Sequence, residues 1–444
     1  MAEMKNIVVV GMGYVGIPCA ALLADVDRFN VIGVQRRSKR SGWKIDCLNR
    51  GDCPFSGDEP GLAELIRRVV VEKGTFRVTD DLSVCKDADT ILIDVQTPTD
   101  SNRIPQYVSL REVGARVGKR LSKDTLVIIE STVAPGTTQN IVQPILEGES
   151  GLRAGVDFYL AFSYERVMPG KLLEYITDFP RVVGGIDPKS TELAVELYRH
   201  IVKKEITATD VLTAELAKTI ENAYRDVNVA FANEMALICE SMGVDVYNVR
   251  ELINARHDRH MHLPGAGVGG HCLPKDSWLL RFGVQQYGSR TAGTEMIALA
   301  RRINDGMPWH MARLVEEALA EREKPLNEAR VTVLGIAYLE NCDDTRNTPA
   351  QGLIDALKAK RASVIAHDPH VREYDGVELT NDLEAALRGS DCLVIVTKHR
   401  GYYDLDLEHV AELMRTPVIV DGRTVFDARV CREAGFVYRG VGKG

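Results

Sequence analysis

The chain has 444 residues, about three times a typical ~150-residue domain, so we expect two or three domains. Hydrophobic residues make up 45% and charged residues 27%, which excludes a disordered or collagen-like chain. The net charge of −8 argues against a nucleic-acid partner, and a phosphorylated substrate would need a local basic pocket.

Membrane insertion and export are not indicated. No apolar run reaches the ~18 residues of a membrane span, and the first residues lack a charged region that leads into an apolar one. The nine cysteines are odd in number and contain no Cys-x-x-Cys pair. We therefore expect a cytoplasmic protein without a disulfide framework or a structural metal site.

The first 206 residues have the pattern of an α/β unit. A β-branched run ends at Val10, a glycine cluster follows, and helical spacing continues to about Leu23. A second strand is predicted at 30–35, and further buried strands at 90–95, 125–129, 157–162 and 181–183. Short apolar runs that alternate with helices predict a parallel sheet covered on both faces.

A helical region follows, and then a second α/β unit. One long helix is predicted from Thr213 to Met242, and the helical pattern extends to about Asn304 with a glycine-rich loop at 263–270. A charged segment that holds Pro325 marks the next boundary. Beyond it, strands are predicted at 330–335, 363–366, 392–397 and 417–420, with a helix at 350–360.

The first glycine cluster has the spacing of a dinucleotide fingerprint, Gly11-x-Gly13-x-x-Gly16, between a strand and a helix. The first glycine permits a tight turn, the second lets the backbone approach a pyrophosphate, and the third allows close packing of helix on strand. The alternative is a glycine turn that serves only packing. We predict dinucleotide binding.

The acidic residue that usually follows the second strand is missing. Gln35 stands there, and a basic run from Arg36 to Arg40 follows. Gln35 can hydrogen-bond a ribose, whereas the basic run can receive the 2′-phosphate of NADP or be a solvated loop. The residues favour NAD and leave NADP open.

Two further groups of residues are candidates for catalysis. Cys272 follows paired glycines in a loop near Lys275, which favours a reactive thiolate over a buried structural cysteine. The neighbouring His271 either orients a phosphate or fills the loop. Lys218 and Asn222 are four residues apart on the long helix, so together they can hold an oxyanion or form a solvated face.

The chain resembles the nucleotide-sugar 6-dehydrogenases, which include UDP-glucose, GDP-mannose and UDP-N-acetylmannosamine dehydrogenases. Its motifs occur in the same order as in that family. The resemblance covers nearly the whole chain. It rests on Gly11–Gly16, Thr97-Pro98, Glu130–Thr137, Glu165-Arg166, Lys218 with Asn222, Gly269–Cys272 with Lys275-Asp276, Asp344–Arg346 and Asp421–Arg423.

The resemblance implies a fold of two Rossmann-like doubly wound domains joined by a helical dimerisation domain with a long central helix. We divide the chain into an NAD-binding domain at 1–206, a helical domain with the cysteine loop at 207–320, and a nucleotide-sugar-binding domain at 321–444. The implied reaction is the four-electron oxidation of a sugar C6 alcohol to a carboxylate with two NAD. A thiolate at Cys272 would form a thioester intermediate. The resemblance also implies that the protein is at least a homodimer.

The resemblance also implies roles for individual residues. The catalytic set is Cys272, Lys218, Asn222, Asp276, Glu165 and Thr132. The cofactor set is Gly11, Gly13, Tyr14, Val15, Gly16, Gln35, Arg36, Thr97, Pro98, Thr132, Lys275 and Arg346. The substrate set is Glu165, Arg166, Val167, Lys218, Asn222, Gly269 and Arg423.

Three departures from the family pattern bear on specificity. Gln35 replaces the usual aspartate, and Leu339 replaces a lysine that normally helps to bind the nucleotide sugar. The run from Glu165 to Lys171 favours the N-acetylhexosamine branch. A UDP- or dTDP-glucose enzyme of secondary metabolism, a two-electron 3-hydroxyacid dehydrogenase and a non-catalytic sugar-nucleotide sensor stay as alternatives.

Overall fold

The computed structural model describes residues 4–39, 41–55, 57–290 and 292–444. It divides into two compact units. The first comprises Met1–Glu221 and Trp278–Gly293, and the second comprises Asn222–Ser277 and Thr294–Gly444.

An eight-stranded sheet forms the centre of the first unit. Its strands are β1 Lys5–Val10, β2 Phe29–Val34, β3 Phe76–Thr79, β4 Thr90–Ile93, β5 Leu126–Ile129, β6 Tyr159–Phe162, β7 Arg181–Gly185 and β8 Ile206–Asp210. They lie in the order β3-β2-β1-β4-β5-β6-β7-β8, which is the doubly wound order with an extension. The β6–β7 pair is antiparallel and the other pairs are parallel.

Burial on both faces explains why these strands read as continuous apolar runs. In β1, Ile7 and Val9 belong to the hydrophobic core on one face of the sheet, whereas Val8 and Val10 belong to the core on the other face. Because successive side chains of a strand point to opposite faces, a sheet covered on both sides needs an apolar residue at every position.

The second unit contains a six-stranded parallel sheet. Its strands are β9 Arg330–Leu334, β10 Ser363–His367, β11 Glu378–Thr380, β12 Cys392–Ile395, β13 Val418–Asp421 and β14 Val437–Gly440. Their order, β11-β10-β9-β12-β13-β14, repeats the six-strand order of a Rossmann sheet. Both sheets therefore have a switch point, between β1 and β4 and between β9 and β12.

The α-helices cover these sheets and form the helical region between them in sequence. Their bounds are α1 Gly16–Ala24, α2 Trp43–Asn49, α3 Leu62–Arg67, α4 Val108–Gly118, α5 Gln143–Ser150, α6 Leu172–Asp178, α7 Pro188–Tyr198, α8 Val211–Ser241, α9 Val246–Asn254, α10 Leu273–Tyr287, α11 Glu295–Ala320, α12 Pro349–Ala359, α13 Leu383–Leu387, α14 Leu407–Leu413 and α15 Ala428–Glu433. Short 3₁₀ segments occupy Leu82–Asp87, Leu326–Glu328 and Arg400–Tyr402, and single π turns occupy Arg68–Glu72 and Thr138–Val142.

The predicted fold class is confirmed, with two Rossmann-like sheets and a long helix close to its predicted bounds. The sequence analysis did not find β3, β8, β11 or β14. These strands are short and carry polar or exposed side chains; β8, Ile-Thr-Ala-Thr-Asp, has no buried residue. A strand that lies at an edge of a sheet or is only partly covered does not need a continuous apolar run, so hydrophobic patterning misses it.

Two negative findings apply to the described ranges. None of their helices combines the length and the apolar character that crossing a membrane requires. They also contain no group of three or more His, Cys, Asp or Glu side chains placed to hold a metal ion.

Candidate active site

The turn after β1 lies at the switch point of the first sheet, and its glycines are required for different reasons. Gly11 has a φ of +115°, and a Cβ there would stand 2.1 Å from the carbonyl oxygen of Asp94. A Cβ on Gly16 would stand 1.9 Å from the carbonyl oxygen of Gly11. Both positions therefore exclude any side chain for reasons of packing alone.

Gly13 differs because a Cβ at this position would have no heavy atom within 4 Å. The open space lies just before the N-terminus of α1, whose N-cap residue Val15 makes no side-chain cap with the described residues. Tyr14 lies between them and stacks on Phe55 with ring centroids 4.5 Å apart. An uncapped helix N-terminus beside an open glycine position fits the pyrophosphate of NAD.

Gln35 follows β2 and contacts this turn directly. Its Oε1 accepts a hydrogen bond from the N–H of Met12 at 3.1 Å. Its Nε2 donates to the hydroxyl of Ser41 at 2.9 Å. The amide thus supports the glycine turn and keeps one acceptor lone pair on Oε1 for a ribose hydroxyl.

A buried polar cluster beneath the turn was missed by the sequence analysis. Glu130 pairs with the buried Arg181 and accepts a hydrogen bond from the Tyr198 hydroxyl at 2.5 Å. Asp94 follows β4, and burial together with the neighbouring Glu130 raises its pKa well above the ordinary range. A protonated Asp94 can donate a hydrogen bond to Glu130, so the cluster avoids a second uncompensated charge.

A signal for this cluster exists in the sequence. Asp94 and Glu130 each come directly after a buried strand, and the carboxyl ends of parallel strands meet at one edge of a sheet. The basic partner, Arg181, is the first residue of β7, where the sequence pattern indicates only an ordinary charged residue at the start of a strand. Only tertiary packing shows that it is buried.

The loops after β4 and β5 are joined by a short hydrogen bond. The hydroxyl of Thr97 donates to the carbonyl oxygen of Thr132 at 2.6 Å, and Thr97 is buried. The carbonyl oxygen of Pro98 accepts the N–H of Gln106 at 2.7 Å. The structure therefore holds Thr97, Pro98 and Thr132 at the same end of the sheet as the glycine turn.

Glu165 and Lys218 also meet within the first unit. The buried Lys218 ammonium donates to the carbonyl oxygen of Glu165 at 2.8 Å. The carboxylate of Glu165 accepts the N–H of Val167. Arg166 turns to Glu221, with the two charged groups 2.8 Å apart.

In the second unit, Cys272 stands immediately before the 15-residue helix α10. Its carbonyl oxygen accepts the N–H groups of Lys275 and Asp276, at 3.0 and 2.9 Å, which begins the helix. The residue therefore lies at the positive end of the helix dipole. A position at a helix N-terminus stabilises a thiolate relative to the thiol.

Asp276 is fully buried in the first turn of α10 and makes two polar contacts. Its Oδ1 lies 2.8 Å from the Lys275 ammonium, and its Oδ2 accepts a hydrogen bond from the Asn222 amide at 2.6 Å. Asn222 lies on α8, one turn after Lys218. The carboxylate thus joins α8 to the cysteine loop.

The glycines before Cys272 pack against Tyr338. A Cβ on Gly269 or Gly270 would stand 2.7 Å from Tyr338 atoms, and Gly270 has a φ of +92°. The N–H of Gly270 donates to the carbonyl oxygen of Arg346 at 2.9 Å. The cysteine loop is therefore held against the segment that follows β9.

Arg423 and Arg346 are both engaged within the second unit. The Arg423 guanidinium donates to the carbonyl oxygens of Val396, at 2.7 Å, and Gly267, at 3.0 Å. Arg346 forms an ion pair with Asp344, with Nε 2.9 Å from Oδ1. These contacts position the two guanidinium groups that the sequence analysis assigned to the substrate and the cofactor phosphates.

The predicted residues thus fall into two groups, one in each unit. The first unit brings together the glycine turn with Gln35, Thr97 with Thr132, and Glu165 with Lys218. The second brings together Asn222, Lys275, Asp276 and the cysteine loop. The roles assigned to these residues stay predictions.

Comparison with known proteins gives the class and the family. Residues 5–202 match the NAD binding domain of the UDP-glucose/GDP-mannose dehydrogenase family, residues 212–306 its central domain, and residues 332–428 its UDP binding domain.

Similar proteins span the whole chain. A UDP-N-acetyl-D-mannosamine dehydrogenase of Pyrococcus horikoshii is 38% identical over 441 residues, 99% of each chain. A solved structure of UDP-D-ManNAc dehydrogenase from the same species has a TM-score of 0.90 with 38% identity, and covers 99% of this chain and 100% of the other. The crystal structure of an NDP-N-acetyl-D-galactosaminuronic acid dehydrogenase from Methanosarcina mazei Go1 has a TM-score of 0.86 with 42% identity, and covers 100% and 96%.

The doubly wound sheets and the glycine turn are those of a dinucleotide-binding protein. The chain belongs to the UDP-glucose/GDP-mannose dehydrogenase family and is an NAD-dependent nucleotide-sugar dehydrogenase. The family and the cofactor expected from the sequence are therefore confirmed.

The two glycines Gly13 and Gly16 should respond differently to alanine. Gly13→Ala fills open space, so we expect Tm to change by less than about 3 °C while the Kd for NAD rises about tenfold or more. Gly16→Ala forces a Cβ into a backbone carbonyl and should lower Tm by about 5 °C or more. Scanning calorimetry and titration calorimetry measure the two quantities, and equal loss of Tm in both variants would contradict the prediction.

His271 should remain uncharged at neutral pH. Burial, aided by Lys275 and Arg346, lowers its pKa to about 4 from the ordinary 6.5. Between these values the unfolded chain binds a proton that the folded protein does not, so the free energy of unfolding falls as pH drops from about 6.5 to 4. The loss is up to about 3 kcal/mol.

The measurement is Tm against pH for the wild type and for His271→Asn. Because asparagine cannot titrate, Tm of the variant should fall less steeply below pH 6.5. Parallel curves for the two proteins would show that His271 titrates normally.

Proposed function

We propose that this enzyme oxidises the C6 alcohol of an NDP-N-acetylhexosamine to the uronate through a thioester on Cys272. The observation that carries the proposal is the position of Cys272 before α10, with the buried Asp276 carboxylate four residues later held by Asn222 and Lys275. A two-electron dehydrogenase needs no nucleophilic cysteine at all.

Bound NAD would accept a hydride from C6 in each of two oxidations. The residues proposed to hold the cofactor are Gly11, Gly13, Tyr14, Val15, Gly16, Gln35, Arg36, Thr97, Pro98, Thr132, Lys275 and Arg346. The open position at Gly13 and the remaining acceptor on Gln35 support this assignment for the pyrophosphate and the ribose.

Cys272 acts in the second oxidation. Its thiolate adds to the C6 carbon of the aldehyde, and the new C–S bond gives a thiohemiacetal that still carries a hydrogen on C6. Loss of that hydrogen as hydride leaves a thioester. Water then adds to the thioester carbon, the C–S bond breaks, and the products are the carboxylate and the free thiol.

The oxygen on C6 carries negative charge in the tetrahedral states. We propose that Lys218 and Asn222, one turn apart on α8, stabilise this oxyanion. Asp276 and Thr132 order the attacking water, and Glu165 moves protons during thioester formation and hydrolysis. The substrate is held by Glu165, Arg166, Val167, Lys218, Asn222, Gly269 and Arg423.

The proposed substrate class is an N-acetylhexosamine nucleotide. It is supported by the Glu165–Lys171 run, and by the names of the Pyrococcus horikoshii and Methanosarcina mazei proteins, which refer to N-acetylated sugars. Leu339 is half-buried and packs against the core of the second unit, so pyrophosphate binding must depend on other cations. A UDP- or dTDP-glucose substrate is the alternative that a substrate panel distinguishes.

We also propose a division into domains at 1–206, 207–320 and 321–444, with the middle one mediating dimerisation. On α8, Tyr224, Phe231 and Ile238 are exposed and recur every seven residues. Residues seven apart lie on one helical face, and large exposed apolar side chains favour a subunit contact.

The nine free cysteines are typical of a protein of the reducing cytoplasm.

The reaction and its cysteine are tested together on a panel of UDP-, GDP- and dTDP-hexoses and N-acetylhexosamines. The wild type should release two NADH and one uronate per sugar, because both oxidations occur at C6. Cys272→Ala should make no uronate yet still reduce a supplied 6-aldehyde with NADH, since that reverses the first step alone. Cys272→Ser should stall after the first oxidation or accumulate a slowly hydrolysed ester, because the hydroxyl is the weaker nucleophile.

Cys431→Ala is the matched control, because Cys431 lies on α15 and is buried in the core against the second sheet. Its rate should stay close to that of the wild type. Uronate formation by Cys272→Ala at a similar rate would refute the thioester mechanism. One NADH per sugar would favour a 3-hydroxyacid-type dehydrogenase, and no turnover on any sugar would favour a sensor.

The dimer is tested by light scattering at micromolar concentration, where the wild type should give at least twice the chain mass of 49.1 kDa. Phe231→Glu places a charge on the proposed contact and should shift the mass towards the monomer. Val108→Glu, at an exposed apolar position on α4, should leave the assembly unchanged. A monomeric wild type would contradict the proposal, whereas larger assemblies built from dimers would not.

A further inference from the structure

The described residues after β2, 35–39 and Ser41, lie where dinucleotide-binding folds discriminate between the adenosine riboses of NAD and NADP. In dinucleotide-binding folds, a carboxylate at the end of this strand binds the 2′-hydroxyl of NAD and repels the 2′-phosphate of NADP. Gln35 occupies that position and is uncharged. The electrostatic barrier that normally excludes NADP is therefore missing at this residue.

The Gln35 amide is also held in one orientation. Its oxygen accepts the Met12 N–H and its nitrogen donates to the Ser41 hydroxyl. Two carboxylates near the segment, Asp80 and Asp46, both pair with Arg37, at 3.3 and 3.5 Å. Arg37 therefore offsets one of these two negative charges.

Arg36 differs from its neighbour Arg37. It is exposed and forms no ion pair with the described residues. Its guanidinium, with five N–H donors in a planar fork, suits a phosphate better than any single hydroxyl. The chain thus offers one arginine already paired and one available beside the ribose position.

Ser38, Ser41 and Gly42 are connected by hydrogen bonds to one another. The hydroxyls of Ser38 and Ser41 are 2.9 Å apart, and the Ser41 N–H donates to the Ser38 hydroxyl at 3.2 Å. The N–H of Gly42 donates to the Ser38 carbonyl oxygen at 2.8 Å. Two serine hydroxyls are therefore preorganised next to the Gln35 side chain.

We propose that this enzyme binds NADP as well as NAD, with the 2′-phosphate held by Arg36 and the Ser38–Ser41 hydroxyl pair. The proposal rests on the dinucleotide site of the first unit and is independent of the sugar substrate. Gln35 permits the 2′-phosphate because it carries no charge, and Arg36 supplies the positive charge that a phosphate of about −1.5 to −2 requires.

The test measures binding by titration calorimetry without any sugar, using NAD, NADP, 5′-AMP and 2′,5′-ADP as the ligands. The wild type should bind NADP with a Kd within about tenfold of that for NAD. Arg36→Ala should weaken binding of NADP and 2′,5′-ADP at least about tenfold more than it weakens binding of NAD and 5′-AMP. Arg37→Ala is the matched control: it removes the same charge but leaves Asp46 and Asp80 unpaired, so it should weaken NADP clearly less than Arg36→Ala does.

Gln35→Asp restores the carboxylate and should reverse the preference, weakening NADP about tenfold or more while NAD is retained or tightened. Calorimetric unfolding of each variant verifies that these surface changes preserve the fold. Binding of NAD without measurable binding of NADP would overturn the proposal. Equal weakening by Arg36→Ala and Arg37→Ala would also overturn it, since that indicates only general attraction of anions.

Failure of this proposal is distinguishable from failure of the proposed reaction. A wild type that binds NAD alone and still releases two NADH per sugar would refute dual cofactor binding and leave the C6 oxidation intact. A wild type that binds both dinucleotides yet oxidises no sugar would support the 2′-phosphate site and count against the reaction.

Discussion

The parallel pairing of a central strand with neighbours on both sides is the constraint on which each sheet depends. β1 pairs with β2 and β4, and β9 pairs with β10 and β12, so the chain must leave each central strand at a switch point. Only a glycine can make the turn where backbones meet so closely. Gly11 and Gly335 both have positive φ, +115° and +89°, and both lack room for a Cβ.

In both units, the residue after the second strand accepts hydrogen bonds from the turn after the first strand, but the accepting side chain differs. In the first, the neutral Gln35 accepts the Met12 N–H of the turn after β1. In the second, Asp368 accepts the N–H groups of Ile336 and Ala337 after β9, at 2.7 and 2.9 Å, and lies 3.1 Å from the buried His399. The second unit thus has a carboxylate at the position where the first unit has Gln35. This carboxylate is buried and accepts hydrogen bonds from the backbone of the turn.

The backbone of the cysteine loop is fixed by packing on one side and by a buried carboxylate on the other. Gly269 and Gly270 are required because Tyr338 packs against them, and the same contact holds the thiol at the start of α10. Asp276 is buried yet compensated by Lys275 and Asn222, since an unpaired buried carboxylate would cost several kcal/mol (about 3–5 for a broken buried pair). The contact with Asn222 also ties the first turn of α10 to α8.

The sequence by itself determined the two α/β units, the long helix, the glycine turn and the cysteine loop, because hydrophobic periodicity and glycine spacing are local signals. It also predicted the family from the order of its motifs. Only the tertiary structure decided that Arg181, Asp94 and Glu130 form one buried cluster, that Arg37 is paired by Asp46 and Asp80, and that β8 and β14 complete the sheets. Those features depend on partners distant in the chain, whose mutual burial and charge compensation no local pattern records.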